Sequence, residues 1–324
     1  MLSFKCVLSP ALLVFFCLTI SHAQNQLPPG SASEVASLPA HGDTRPDLKP
    51  TAILSIRVTD AKQNVIPDLS AANFSVFEDD ARQDITAFNH NDEPVSVGIL
   101  VDNSGSMRHK RAAVVEAMKH LVQLSNPQDE IFVVNFNDEA YLDQDFTSDY
   151  SRISKALDRA DARGGTALYD ALTAANDHLA RFSKYQMRGL IIVTDGLDNE
   201  SRTNLELLTR KLQGKAAPLV YTIGILEGDP QQILKSERAF DMLAKQSGGL
   251  AFFPTNARRV DEAAQQIARD LRQQYTVAYH FKNSADQRAI RHVKVSISYP
   301  RKGLRIRTNV MHFEDPERLP APQQ

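Results

Sequence analysis

Five oxygen-bearing side chains stand where a cation site would need them. Asp102, Ser104 and Ser106 occupy alternate positions directly after the apolar run Val97, Ile99, Leu100, Val101. Thr166 follows the pair Gly164-Gly165, and Asp195 closes a second apolar run, Ile191-Ile192-Val193-Thr194, before Gly196. A short, nearly continuous apolar run reads as a strand covered on both faces, and in an open α/β sheet ligands collect at the carboxyl ends of such strands. Two carboxylates and three hydroxyls make an all-oxygen set, which suits a hard divalent cation: Mg2+, with Mn2+ or Ca2+ as alternatives. The glycines at 105, 164 and 165 are expected to let backbone approach the ion closely.

Other chemistries fit less well. Ser104 with Gly105 suggests a nucleophile, but the hydrolase elbow needs glycines two residues to either side of the serine, and Asp102 and Ser106 stand there. His90, His109, His120, His178, His280, His292 and His312 show no metalloprotease spacing, so surface or capping roles are expected of them. The run Asp195-Gly196-Leu197-Asp198-Asn199-Glu200 lacks EF-hand order, and Asp198 to Glu200 are expected to favour the N-terminus of the next helix instead.

The elements that must position the five residues alternate along the chain. Residues 110–124 carry Ala113, Val114, Ala117, Met118, Leu121 and Val122 at helical spacing and stop before Asn126-Pro127. Strands are expected at 131–134, 190–193, 219–225 and 251–253, with an edge strand at 140–146 hairpinned to the first of these. Helices are expected around 153–160, after Thr166, and over 205–212, 233–246 and 260–271. Such alternation implies a mostly parallel, doubly wound sheet with helices on both faces.

Asp102-x-Ser104-x-Ser106, Thr166 and Asp195, spread over roughly residues 95–274, resemble the metal-ion-dependent adhesion site of von Willebrand factor type A domains. The resemblance implies a Rossmann-like fold. It implies that the two serines and the threonine approach the metal directly or nearly so, and that the aspartates often act through water. It leaves one coordination position for an acidic ligand. Mg2+ takes about six oxygens and keeps several waters, in keeping with an incomplete protein shell. Met107, Arg108, Leu197 and Asp198 flank the site and are expected to help select the partner.

The chain has 324 residues and a formal net charge of −2, which argues against a nucleic-acid binder. Residues 1–23 have one lysine, Lys5, then an apolar run from Ala11 to Ile20, then Ser21-His22-Ala23, and read as a secretory signal peptide. The apolar run is short of the roughly 20 residues that span a bilayer. Phe15-Phe16 before Cys17 disfavour a lipidated cysteine. Cys6 and Cys17 both lie in this segment, so the processed chain would hold no disulfide, thiolate site or cysteine nucleophile. Residues 24–50, rich in proline, serine and alanine, read as a disordered linker.

Period-two patterns then occupy both ends of the body. Leu54, Ile56 and Val58 alternate with Ser55, Arg57 and Thr59, which predicts a half-buried strand; Phe74, Val76 and Glu78 form another; a turn at Asp79-Asp80 leads toward a third over 85–88. The stretches 73–79 and 83–88 resemble the opening of a bacterial, notably acidobacterial, family of exported von Willebrand-related proteins, with Asp80 where a turn glycine is usual. Tyr275, Val277, Tyr279 and Phe281 alternate, as do Val293, Val295, Ile297 and Tyr299, followed by Leu304 and Ile306. Two half-sheets, each with one apolar face, are best satisfied by pairing with each other. The expected organisation is therefore a β-domain with halves at 51–92 and 275–313, a type A domain over 93–274 inserted between them, and a tail at 314–324. Independent hairpins packed on the central domain are the alternative. The basic residues Lys282, Arg288, Arg291, Lys294, Arg301, Lys302, Arg305 and Arg307 read as a solvated strand face or as a steering patch for an acidic partner.

The function expected is that of an exported, periplasmic or secreted, non-enzymatic binding and adhesion protein. It would capture a protein partner through a divalent metal held by Asp102, Ser104, Ser106, Thr166 and Asp195 and completed by a partner carboxylate. A structural component of an envelope assembly with a permanently filled site is the alternative. A metal-dependent hydrolase is a further one, for which no general base stands in obvious position.

Overall fold

A computed structural model describes residues 51–61, 65–90, 92–159, 162–196, 198–212, 217–280, 293–300 and 303–314, the last six of these by backbone alone. The expected signal peptide, linker and most of the tail, together with Leu197, Phe281, Lys282, Arg288, Arg291, His292, Arg301 and Lys302, lie outside the described residues.

In chain order the strands and α-helices are β1 (Thr51–Thr59), β2 (Phe74–Glu78), β3 (Ala81–Gln83), β4 (Ile85–Asn89), β5 (Ser96–Asp102), α1 (Arg111–Gln123), β6 (Glu130–Phe136), β7 (Ala140–Thr147), α2 (Tyr150–Asp158) and α3 (Leu168–Phe182). There follow β8 (Arg188–Thr194), α4 (Leu205–Lys211), β9 (Leu219–Gly224), α5 (Pro230–Ser247), β10 (Ala251–Phe252), α6 (Ala257–Arg272), β11 (Tyr275–His280), β12 (Val293–Ile297) and β13 (Arg305–Glu314). Among the described residues no helix is long and apolar enough to cross a membrane.

The central sheet has the order β10-β9-β8-β5-β6-β7, parallel throughout except for the antiparallel edge strand β7. Its strands are apolar on both faces because helices cover both. Val97, Ile99 and Val101 of β5 face α1, α2 and α6, through Val114, Met118, Ile153, Val260 and Ile267 among others. Leu100 and the alternate residues of β6 and β8 face α3, α4 and α5, through Leu172, Leu208, Phe240 and Leu243. This is the doubly wound architecture that the alternating pattern predicts.

The strands from the two ends of the chain do pair. One sheet runs β13-β1-β11-β4 and the other β12-β2-β3, so each mixes strands from before and after the central domain. A single core of Leu54, Ile56, Val58, Phe74, Val76, Tyr275, Val277 and Tyr279 joins them. The β2–β3 hairpin turns on Asp79 and Asp80, both in the left-handed region at φ 47° and 62°. Two central residues with positive φ match the right-handed twist of the flanking strands, and aspartate tolerates that conformation better than most residues.

β1 departs from expectation. Its alternate polar residues are not solvated: Ser55 and Arg57 are each 1% exposed. The half-buried reading fails because that face packs on the α/β domain. Arg57 Nε lies 2.8 Å from Asp270 Oδ2 on α6, and Ser55 donates to Gln274. Asp270 also accepts from the Tyr221 hydroxyl of β9 at 2.7 Å and pairs with Arg307 of β13. Arg307 in turn donates to the carbonyls of Gly248 and Gly249 at 3.0 and 3.2 Å. One carboxylate thus ties β1, β13, β9 and α6 together, and Arg307 is an internal clamp rather than part of a solvated stripe.

Candidate functional site

β5 and β8 are neighbours whose onward connections diverge, β5 leading to β6 on one side and β8 to β9 on the other. At such a switch point the loops leaving the strand ends separate and open a crevice. Asp102 is the last residue of β5 and Thr194 the last of β8. The Thr194 hydroxyl donates to Asp102 Oδ2 at 2.6 Å, while the Ser104 N–H donates to Oδ1 at 2.7 Å. Ser104 Oγ and Ser106 Oγ are 3.1 Å apart, and the Ser106 hydroxyl donates to Asp195 Oδ1 at 2.8 Å. Asp102, Ser104 and Thr166 are buried, whereas Ser106 is exposed to the crevice. Ser106, Thr166, Asp195, Lys110, Glu227 and Lys235 line an open cleft of about 700 Å³.

The structure brings Asp102, Ser104, Ser106 and Asp195 together at the ends of β5 and β8 and places Thr166 on the wall of the same cleft as Ser106 and Asp195. Adjacent oxygens of an octahedral shell at Mg2+ distances lie about 3 Å apart. The Ser104–Ser106 and Ser106–Asp195 separations of 3.1 and 2.8 Å match that edge. Among the described residues no three His, Cys, Asp or Glu side chains cluster as a metal site, so any ion here would depend on the hydroxyls. Burial pushes the Asp102 carboxyl up to about 6, against the lowering effect of the Thr194 and Ser104 hydrogen bonds. Beside it, Arg111 is 5% exposed and donates to Asn135 Oδ1 and to the carbonyls of Leu157 and Arg159. Burial brings its guanidinium down to about 10, which leaves it charged at neutral pH.

Thr166 is placed by the loop after β8. Its N–H donates to Asn199 Oδ1 at 2.8 Å, and the Asn199 N–H returns a bond to the Thr166 carbonyl at 3.0 Å. Asp198 Oδ1 accepts from Tyr169 N–H, and Ser201 Oγ accepts from Asp170 N–H, in the first turn of α3. Asp198 thus serves the N-terminus of α3 and not that of the helix following it, whose N-cap is Asn204. The glycine pair has a reason other than access for an ion. Gly164 sits at φ 75°, and a Cβ there would overlap the carboxylate of Asp138; one on Gly165 would meet Glu200 and Asn199. Asp138 holds this loop by accepting from the Gly165 N–H at 2.5 Å. At Gly105 an added Cβ would make only ordinary van der Waals contact.

Of the expected flanking residues, Met107 is fully buried in the core and cannot meet a partner. Arg108 is exposed, with Nη2 3.3 Å from the Ala162 carbonyl. Sequence reasoning misses three polar groups that contact the candidate residues, Lys110 and Glu227 in the cleft and Thr194 buried beneath it. Thr194 was legible as the hydroxyl next to Asp195. Lys110 follows Asp102 by eight residues, and nothing in the sequence says that a 3-10 turn over Gly105–His109 folds it back. Glu227 comes from the loop after β9 and becomes a neighbour only through the sheet order. Lys110 Nζ lies 2.9 Å from Asp195 Oδ2 and 3.1 Å from Glu227 Oε2.

No curated protein sequence matches the chain. Among solved structures it is similar to a von Willebrand factor type A protein from Catenulispora acidiphila, at 14% identity and a TM-score of 0.49, covering 82% of this chain and 74% of that one. The von Willebrand domain of the type V pili tip protein Mfa5 from Porphyromonas gingivalis is 14% identical, with TM-score 0.46 and coverage of 57% and 98%. A serine-substituted aerotolerance-related membrane protein from Bacteroides fragilis is 18% identical, with TM-score 0.43 and coverage of 54% and 99%. Residues 97–197 match the family model of the von Willebrand factor type A domain, a stretch that begins inside β5 and ends just past Asp195, so that all five candidate ligands fall within it.

Proposed function

We propose that this chain is an exported, non-enzymatic adhesion or protein-interaction protein that captures an acidic residue of its partner at a divalent cation, Mg2+ or else Mn2+ or Ca2+, held by Asp102, Ser104, Ser106, Thr166 and Asp195. The observation that carries the reading is the geometry of three oxygens from the β5 and β8 loops, Ser104 Oγ, Ser106 Oγ and Asp195 Oδ1, in consecutive contact at 3.1 and 2.8 Å, with Ser106 and Asp195 lining an open cleft. When bound, the cation supplies an electron-poor contact for a carboxylate, because most of its protein ligands are neutral hydroxyls. The chain's own residues do the rest. Thr194 and the Ser104 N–H fix the Asp102 carboxylate, Asn199 fixes the Thr166 backbone, and the buried floor keeps both from reorienting. The matched family model supports an interaction module.

Affinity capture by the purified protein, with Mg2+ and then with chelator, tests this. Partners should be retained only with the ion, and Ser104→Ala or Ser106→Ala should behave like chelation. Capture that persists unchanged through chelation and in both variants contradicts the proposal.

A further inference from the structure

Lys110 is placed in a way the five-ligand reading does not use. Its ammonium lies 2.9 Å from Asp195 Oδ2 and 3.1 Å from Glu227 Oε2, and its side chain is only 14% exposed. Asp195 therefore already has a cation on one oxygen while its other oxygen accepts from Ser106. Glu227, on the loop beyond β9, is 72% exposed and lines the same cleft, held there by the same ammonium.

We propose that Lys110 sets the charge of the site: by neutralising Asp195 and restraining Glu227, it keeps the chain's own hold on a divalent cation weak, so that firm binding requires an external carboxylate. The proposal rests on the metal-bridged reading above and deepens it. An ammonium on the far side of a ligand carboxylate repels an incoming dication and drains charge from that ligand. Even at a water-like dielectric, a single and a double positive charge one carboxylate apart oppose each other by enough to shift affinity on the order of tenfold. Without the ammonium, Asp195 would offer its full charge, and Glu227 would be free to supply a further acid from within. The chain would then need a partner less. Lys110 is thus a specificity-determining residue, which makes capture depend on an acid from outside.

The test is a Mn2+ titration of the full protein, followed by the spin resonance of free Mn2+, with and without acetate as a small carboxylate. The wild type should bind weakly, and acetate should tighten it. Lys110→Met should bind on the order of tenfold more tightly without acetate and gain less from adding it, and Lys110→Arg should return to the wild-type behaviour. Should Lys110→Met fail to fold by circular dichroism, Lys110→Gln takes its place. Mn2+ affinity in the charge-removing variant equal to or below that of a wild type that does bind overturns the role of Lys110. No Mn2+ binding by either protein overturns the metal reading itself.

Discussion

Asp270→Asn probes how the inserted domain is held. The carboxylate is 4% exposed and partners Arg57, 1% exposed, as well as Arg307 and the Tyr221 hydroxyl. The amide keeps the shape and can still accept from Tyr221, whose phenol burial pushes up and keeps protonated. What it removes is, among the described residues, the only acid paired with Arg57, whose Nη2 has no hydrogen-bond partner among them. The bond from Arg57 Nε to the Asp270 carbonyl, at 3.0 Å, survives but brings no charge. Breaking one side of a buried ion pair costs about 3–5 kcal/mol, since the remaining charge stays buried without compensation. Urea unfolding followed by circular dichroism should show a loss of that size, and hydrogen exchange should place it in β1 and β13. The double variant Arg57→Met, Asp270→Leu should recover only part of the loss, because it removes the buried Arg57 charge but still takes the acid from Arg307 and the acceptor from the Tyr221 hydroxyl. A change below about 1 kcal/mol for Asp270→Asn would refute the argument that this carboxylate locks the β-domain to the α/β domain.

Asp102→Ala and Thr166→Ala should each weaken Mg2+ and Mn2+ binding by calorimetry without unfolding the chain, since both stand at the ends of core elements. The pH dependence has a defined sign. With its carboxyl raised from the ordinary value of about 4 to about 6, Asp102 holds a proton in the folded chain that the unfolded chain has released. Its contribution to the stability of the metal-free protein is therefore full below about pH 4 and lost as pH rises through 6. Cation affinity runs the other way, falling about tenfold per pH unit below 6 as the proton competes. Gly164→Ala should lower stability by more than about 1 kcal/mol, because both its φ of 75° and the Asp138 carboxylate oppose a Cβ. Asp80→Gly, at φ 62° in the β2–β3 turn, should instead stabilise by a few tenths to about 1 kcal/mol, read as a shift in the denaturation midpoint.

What the sequence could reveal depended on whether neighbours in space were also neighbours in pattern. The apolar runs ending in Asp102 and Asp195 announce two buried strands and their ligand-bearing ends, because periodicity and position coincide there. The pairing of Leu54, Ile56 and Val58 with Tyr275, Val277 and Tyr279 is legible for a similar reason: each half-sheet has an apolar face that needs covering. Arg57 misleads, since a charged residue at a polar position of an alternating strand looks solvated. Only the fold reveals Asp270, more than two hundred residues away, waiting on α6. Arg307 deceives in the same manner within a basic run. Lys110 and Glu227 carry no local signature, for their meeting at Asp195 depends on the turn after Ser104 and on the order of β8 and β9. Met107 stands beside the site in sequence alone, since the turn at Gly105–His109 directs it into the core.

The central claim is most directly tested by anomalous diffraction from crystals of the protein grown with Mn2+. The account predicts one strong peak in the crevice between β5 and β8, within about 2 Å of hydroxyl oxygens from Ser104, Ser106 and Thr166, at the spacing expected for a small hard cation. No peak there at saturating Mn2+, or a peak held by other residues, would contradict it.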